Sequence, residues 1–553
     1  MSELTRDDAI VIAAEKVLSS LPPNSIKCKT DLEELKQKIV AETQDAIDEH
    51  NAVCDKSRKW KMQQDLTPYQ IKLIMLKVFK IKRINMHNGN SQNGTIAGVY
   101  IDDLVLEIAG DSYKNKKGLY CIDVDLFKCL IEVLDVNALP RAFDELLKKI
   151  SISAPITCRC SDRDLIAVGN GIFNYKTKQL MDFNSDLVFL SKSPISYNPL
   201  AANVTIHNSN DGTDWDYESW IESLSDDKEV QDLLKMIPSC LLRPQVRFHK
   251  ALLMVSASGN NGKGSLLEAW RCLLGTDSYC SISLADFGKD FALETLMTAQ
   301  AVLTDENDTG AYLDRCANLK AVITNDVLQL NAKFKSPITF QFRGFVVQCL
   351  NESVGIRMKD KSDSMYRRLL PIPMDKCFTG QERKYIKDDY LHRTEVLEYI
   401  MKTALEGTFY ELPTPQCSVK LLGENKELND PVREFWNEMR DRFVWDLLPF
   451  EFLYALYKSW FNKNSPSGTV IGSTTFKNDL LSVLRSDCDD MWFCEDKTKK
   501  VYLSERIRMN EPEHLIHEYG LSDWMSKAHK GNNIDQLCMP NLSASYRGLQ
   551  RIK

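Results

Sequence analysis

The sequence has no run approaching the roughly 20 uncharged apolar residues that a membrane-spanning helix needs, so no membrane partner is expected. Its 16 cysteines include no CxxC pair. That argues against a disulfide framework or a paired-cysteine metal knuckle and predicts reduced thiols in the cytoplasm. It has no basic excess either: 70 Lys and Arg stand against 77 Asp and Glu, a net charge of −7. A polycationic body is excluded, and any nucleic-acid ligand would need a local basic surface. The opening "MSELTRDDAIVIAAEKVL" puts acids where an export signal carries lysines, which again predicts a cytoplasmic location. Internal repeats and low-complexity tracts are missing, which leaves an ordinary globular chain.

At 553 residues that chain exceeds a single core, and two to four domains are expected. Residues 1–50 are helical in pattern and acidic, with eleven Asp/Glu against six Lys/Arg. A polar, turn-rich break spans 85–98. Residues 118–150 read as two helices around a Pro-containing turn, and 164–183 as two strands joined by a polar turn. Helices are expected over 214–237. Residues 245–375 alternate strand and helix, the pattern of a mostly parallel sheet. "ELPTPQCSVK" (411–420) reads as a linker, and "MWFCEDKTKKVYLS" (491–504) as a hairpin with a charged turn.

The chemistry concentrates in "SASGNNGKGSLLEAW" (256–270), which follows the apolar run 251–255. A strand, a glycine-rich turn and a lysine at a helix start make a phosphate cradle: backbone N–H groups and the helix dipole face the anion, and lysine reaches its terminal phosphates. The cradle residues are Ser258, Gly259, Asn260, Asn261, Gly262, Lys263, Gly264 and Ser265. Against the pattern G-x-x-x-x-G-K-[ST], Ala257 replaces the first glycine, and Gly264 stands where the Mg²⁺-binding hydroxyl belongs. Ser265 comes one residue late, and one helical step is about 100°.

About one strand–helix–strand unit later, "AQAVLTDEND" (299–308) ends a buried strand in Asp305-Glu306. Adjacent acids at the C-terminal end of a parallel strand supply a carboxylate for Mg²⁺ and another for the attacking water. The strand "GFVVQCLN" ends in Asn351, whose amide suits the γ-phosphate or that water. Arg367 and Arg368 precede a further strand; an arginine delivered to a neighbour's phosphate stabilises the transition state in ring ATPases.

Gly259-x-Asn261-Gly262-Lys263, Asp305-Glu306, Asn351 and Arg367-Arg368-Leu-Leu-Pro-Ile-Pro, in that order, resemble the superfamily three helicases of phages, plasmids and large DNA viruses, in the primase-associated branch that includes the poxvirus type. The likeness extends through "GNGIFNYKTKQL" and "SKSPISYNP" before the motor and "DPVREFWNEM" after it, roughly residues 100–510. The resemblance implies an α/β fold: an AAA+-like P-loop ATPase core with a helical, α+β N-terminal region and a C-terminal winged helix. Five parts are expected: an acidic helical domain for partner or DNA docking (1–95), a pre-helicase α+β domain (96–235), the helicase domain (236–410), a linker (411–430), and a winged-helix-like domain with tail (431–553).

In that frame Lys263 holds the β/γ-phosphates of ATP, Asp305 binds Mg²⁺, with Ser265 as the candidate replacement hydroxyl, and Glu306 polarises water. Asn351 senses the γ-phosphate, and Arg367 or Arg368 acts from an adjacent subunit. Between the acids and Asn351 lie Lys320 and the triplet Lys333-Phe334-Lys335, two lysines around an aromatic, which suit single-stranded nucleic acid. The resemblance makes this segment the channel hairpin of a hexamer, and six copies would line a basic channel in an acidic protein. "STTFKNDLLSVL" (473–484) and "EDKTKK" (495–500) are a candidate recognition helix and wing.

Other signals are rejected. Asp123-x-Asp125 lacks the further acid and histidine of a primase-polymerase site and reads as a helix cap. "HLIHE" has the wrong order for a zinc protease, and Cys158-x-Cys160 has no second pair nearby. The chain is thus expected to be an ATP-dependent, Mg²⁺-requiring hexameric DNA helicase acting on single-stranded and forked DNA in the replication of a virus, phage or mobile element, in the host cytosol or at a replication site, with a separate primase or polymerase as a further partner. The alternative is a nucleotide-binding origin- or primase-tethering protein with little motor activity.

Overall fold

The computed structural model describes residues 5–87, 95–136, 140–289, 291–307, 312–313, 315–330, 337–351, 356–358, 360, 362–464, 470–486, 489–502, 509–528 and 533–552. Helix and strand alternate through the chain, an α/β fold. It divides into two compact units: residues 1–355 with 362–419, and residues 356–361 with 420–553.

The first unit begins with the expected acidic helices, Arg6–Ser20 and Lys29–Val53. Thr5 caps the first in a reciprocal box with Asp8, an arrangement worth about 1 kcal/mol. These helices and three more (Pro68–Lys77, Val124–Leu134, Pro140–Ser153) share an apolar core with a four-stranded sheet in the order 120–121, 95–100, 82–85, 156–158. The two helices expected within 118–150 are therefore present. Asp123 accepts a hydrogen bond from the Asp125 amide at 3.0 Å, which bears out its reading as a cap. The two ends of the stretch expected as a break at 85–98 belong to paired strands, 82–85 against 95–100, and residues 88–94 between them lie outside the described residues.

Residues 164–183 form three antiparallel strands (165–168, 171–174, 179–181), one more than expected. The correction has a local cause. The two-residue turn between Val168 and Gly171 is tight enough to split what reads as a single run, and Gly171 sits where a Cβ would meet the Met181 carbonyl oxygen at 2.3 Å.

The centre of the unit is a five-stranded sheet in which every pairing is parallel. Its strands in chain order are β1 (Ala251–Val255), β2 (Tyr279–Cys280), β3 (Ala301–Thr304), β4 (Phe345–Leu350) and β5 (Leu369–Pro373). Across the sheet they stand β2-β3-β4-β1-β5. β1, β3 and β4 are buried along their whole lengths, as parallel strands covered on both faces must be. Helices Lys228–Leu242, Lys263–Leu274 and Thr394–Glu406 pack into the same core.

The second unit has helices Pro431–Met439, Phe450–Asn464 and Ser473–Ser486 around an aromatic core with Trp436, Trp445, Trp460 and Trp492 fully buried. The segment read as a linker holds helix Gln416–Asn429, and the two units divide within it. One sequence expectation is corrected here. Among the described residues, the hairpin expected at 491–504 does not form. Trp492–Phe493 pairs with Gly548–Arg551, and Val501–Tyr502 pairs with Ser545–Tyr546, so C-terminal partners displace the local one. The 495–500 turn lies against the candidate recognition helix, Lys477 donating to the Lys497 carbonyl at 2.9 Å.

Candidate functional site

β1 runs into the glycine-rich loop, and the loop's shape follows from its residues. Asn260 (φ 51°) and Gly262 (φ 87°) both take left-handed backbone. At Gly262 a Cβ would also strike Leu224 Cδ2 at 2.6 Å, so only glycine fits. Inside the loop, Ser256 Oγ accepts from the Ser258 amide at 3.2 Å, and Asn261 Nδ2 donates to the Ser258 carbonyl at 2.6 Å. Asn260 ties the loop outward, donating to Thr379 Oγ1 at 3.2 Å and Glu382 Oε1 at 3.1 Å. Helix Lys263–Leu274 then starts from Gly262, which has no side chain to cap it; the Lys263 amide donates to Asn261 Oδ1 at 3.4 Å, and the next amides are left for an anion.

Lys263 is only 6% exposed. Burial pushes its ammonium below the ordinary lysine value, and Cys349 and Asp305 oppose that shift. Asp305 and Glu306 follow the end of β3 and are half-buried and exposed respectively. A Cβ at Gly264 would lie 3.9 Å from both carboxylate oxygens of Asp305 and 3.7 Å from Lys387 Nζ. Position 264 therefore faces the acid. Ser265, one step round the helix, lines the cavity beside the loop.

Asn351 is exposed at the end of β4. Because β4 lies between β1 and β3, the loop, the acids and Asn351 leave the sheet on one edge; the Ser256 amide donates to the Leu350 carbonyl there at 3.2 Å. The arginines are elsewhere. Arg368 precedes β5, and its carbonyl accepts from the Ala251 amide at the start of β1 at 2.8 Å. Five residues at about 3.3 Å each put the arginines roughly 17 Å along the strands from the loop. Arg367 is exposed there, and Arg368 Nη1 donates to the Ser364 carbonyl. Lys320, on helix Ala317–Ile323, is half-buried and donates to Ser364 Oγ at 3.3 Å. Strands Val327–Leu330 and Ile338–Gln341 pair antiparallel. Lys333, Phe334 and Lys335 come between them in the chain and lie outside the described residues.

Four features escaped the sequence reading. Asn307, 8% exposed, donates to Gln348 Oε1 at 3.0 Å and to the Cys349 carbonyl at 2.9 Å, pinning the acidic turn to β4. Its place directly after the acids was the available signal. Arg271 Nη1 stands 3.9 Å from Asp305 Oδ2. Lys387 comes from helix Lys384–Asp388, far along the chain, and no local pattern marks it. Finally, a cavity of about 980 Å³ opens beside the loop, lined among others by Trp220, Leu224, Gly262, Ser265, Phe378 and Lys387. It sets aromatic walls and charged side chains such as Asp211, Asp216 and Lys384 next to the glycine-rich loop.

Three family models match the chain. One described as D5 N terminal like covers residues 27–226, and one described as Poxvirus D5 protein-like covers residues 427–526. Between them, a family of unknown function (DUF5906) covers residues 254–368, the span from the loop to the arginines. The chain is similar to the poxvirus D5 type in two separate segments. That agrees with the branch its ordered motifs resemble, and supports a replication protein of the phage and poxvirus primase-helicase kind. Among curated proteins none matches. Among solved structures, the apo C-terminal region of NrS-1 is similar at 13% identity and a TM-score of 0.41, over 76% of this chain and 95% of that one. Its A form gives 12% identity and a TM-score of 0.38, over 75% and 86%.

Proposed function

We propose that the chain is an ATP-driven, ring-forming helicase that translocates on single-stranded DNA. The observation that carries this reading is the convergence of the loop, Asp305-Glu306 and Asn351 on one edge of the parallel sheet, with Lys263 buried and electrostatically coupled to Asp305. In this reading the loop amides and Lys263 bind the phosphates of ATP, and the cavity walled by Trp220 and Phe378 takes the base. Asp305 holds Mg²⁺ and Glu306 orients water for in-line attack on the γ-phosphorus. The strand order, with the loop strand beside β5, supports an AAA+-like core.

The arginines favour an oligomer. Roughly 17 Å of strand separates them from their own loop, so Arg367 or Arg368 would act on a neighbour's nucleotide, as in a closed ring. Lys333, Phe334 and Lys335 would contact the strand inside such a ring. The test is ATP turnover of the purified chain with and without single-stranded DNA. Strong stimulation is expected.

One observation favours a second reading. With no hydroxyl at Gly264, Mg²⁺ would have one ligand fewer, which suits a protein that binds nucleotide and tethers a primase or origin without useful turnover. Nucleotide binding with no hydrolysis, with or without DNA, would favour that reading.

A further inference from the structure

The helix that starts at the phosphate loop carries a second constellation on its far half. Glu268 and Cys272 stand one turn apart on Lys263–Leu274, and His392 meets them from the short turn Tyr390–His392. Cys272 Sγ lies 3.3 Å from His392 Nδ1 and 3.6 Å from Glu268 Oε1. His392 Nε2 is 3.6 Å from the same glutamate oxygen. One ligand atom from each residue falls within 4.8 Å of the other two.

Those separations have a chemical scale. Around a tetrahedral zinc ion, with Zn–S near 2.3 Å and Zn–N or Zn–O near 2.0–2.1 Å, ligand-to-ligand edges come to about 3.3–3.6 Å. A metal takes one imidazole nitrogen, and with one atom from each residue the three ligand atoms lie within 4.8 Å of one another, so a small closing movement brings the trio to that size. The carboxylate is also divided in a useful way. Glu268 Oε2 faces Arg271 Nη1 at 3.9 Å, so Oε1 is the oxygen turned to the thiol and the imidazole. An outer partner of this sort orients a metal-binding carboxylate.

We propose that Glu268, Cys272 and His392 form a zinc site, with water in the fourth position, which staples the phosphate-loop helix to the 390–392 turn. A thiolate and an imidazole select zinc over magnesium, so this site is chemically distinct from the Mg²⁺ position proposed at Asp305, and it does not depend on that reading. On binding, the Cys272 S–H bond breaks, its proton leaves to solvent and the sulfur lone pair binds zinc. Without metal the thiol holds that proton firmly, because burial and then Glu268 push it up to about 12. The zinc charge supplies the opposing field.

The test uses the full chain, stripped with chelator, given zinc and desalted, with bound metal counted. About one zinc per chain is expected, lost in Cys272→Ser and bound at least about tenfold more weakly in His392→Ala. Cobalt in place of zinc should give a thiolate-to-cobalt charge-transfer band that Cys272→Ser abolishes and that Cys377→Ser, at an exposed cysteine outside the trio, retains. The His392 side chain is 49% exposed, so its removal leaves a folded protein, checked by an unchanged circular dichroism spectrum. Zinc retention equal in parent and both variants, or a cobalt band that survives Cys272→Ser, would reduce the cluster to a hydrogen-bonded trio and overturn the proposal.

Discussion

A side chain at position 264 would point at Asp305: the Cβ position on Gly264 lies 3.9 Å from both oxygens of that carboxylate. The hydroxyl that phosphate loops place there is missing, yet the space and the facing acid are in place. Gly264→Ser should therefore be accommodated and should tighten Mg²⁺-nucleotide binding several-fold, while Ser265→Ala, facing the neighbouring cavity, should change it little. Magnesium titrations of nucleotide binding check both. Equal losses in the two variants would mean that Ser265 reaches the metal after all.

Lys263→Ala removes the proposed phosphate-binding cation and should lower turnover by about 10²-fold or more. Glu306→Gln should keep nucleotide binding and stop hydrolysis, because an amide cannot polarise water. Equilibrium binding measured beside turnover separates the two. Parental turnover in Glu306→Gln would remove that residue from the mechanism.

The pH dependence follows from the same lysine. Burial lowers the Lys263 value, so its ammonium loses the proton earlier than an ordinary lysine as pH rises. Nucleotide affinity should fall on the alkaline side through that lowered value and should be restored by returning to neutral pH. For stability the sign is opposite: the penalty for burying the charged form is present at neutral pH and is relieved as the group deprotonates. Affinity that holds constant until ordinary lysines titrate would contradict the assignment.

Trp220→Ala and Phe378→Ala strip the aromatic walls of the cavity beside the loop. Each should weaken ATP binding by about tenfold, from lost base contact, and should narrow the preference for ATP over inorganic triphosphate. Competition binding with the two ligands reads this out. Unchanged ATP affinity in both variants would place the base elsewhere.

Arg367 and Arg368 lie at the opposite ends of the strands from the loop. Subunits lacking both arginines, mixed with Lys263→Ala subunits, should regain part of the ATPase activity, since some interfaces then pair an intact loop with an intact finger. A monomer with full ATPase would rule out action across a boundary.

Local chemistry was legible in the sequence. The acidic helices of residues 1–50 and the alternation behind the parallel sheet depend on neighbours a few positions apart, and periodicity and residue type report those directly. So does Asp123 as a cap. What tertiary structure decided was every relation set by long-range register. It determined that β4 separates β1 from β3, that Gly264 and not Ser265 faces Asp305, and that Asn307 anchors the acids. The expected hairpin at 491–504 gave way to C-terminal partners because strand pairing depends on which edge is within reach, not on sequence proximity. Cys272 and His392, 120 residues apart and in contact, mark the same limit: a site assembled from one helix face and a distant turn has no spacing to read, since its geometry exists only once the core has fixed both elements.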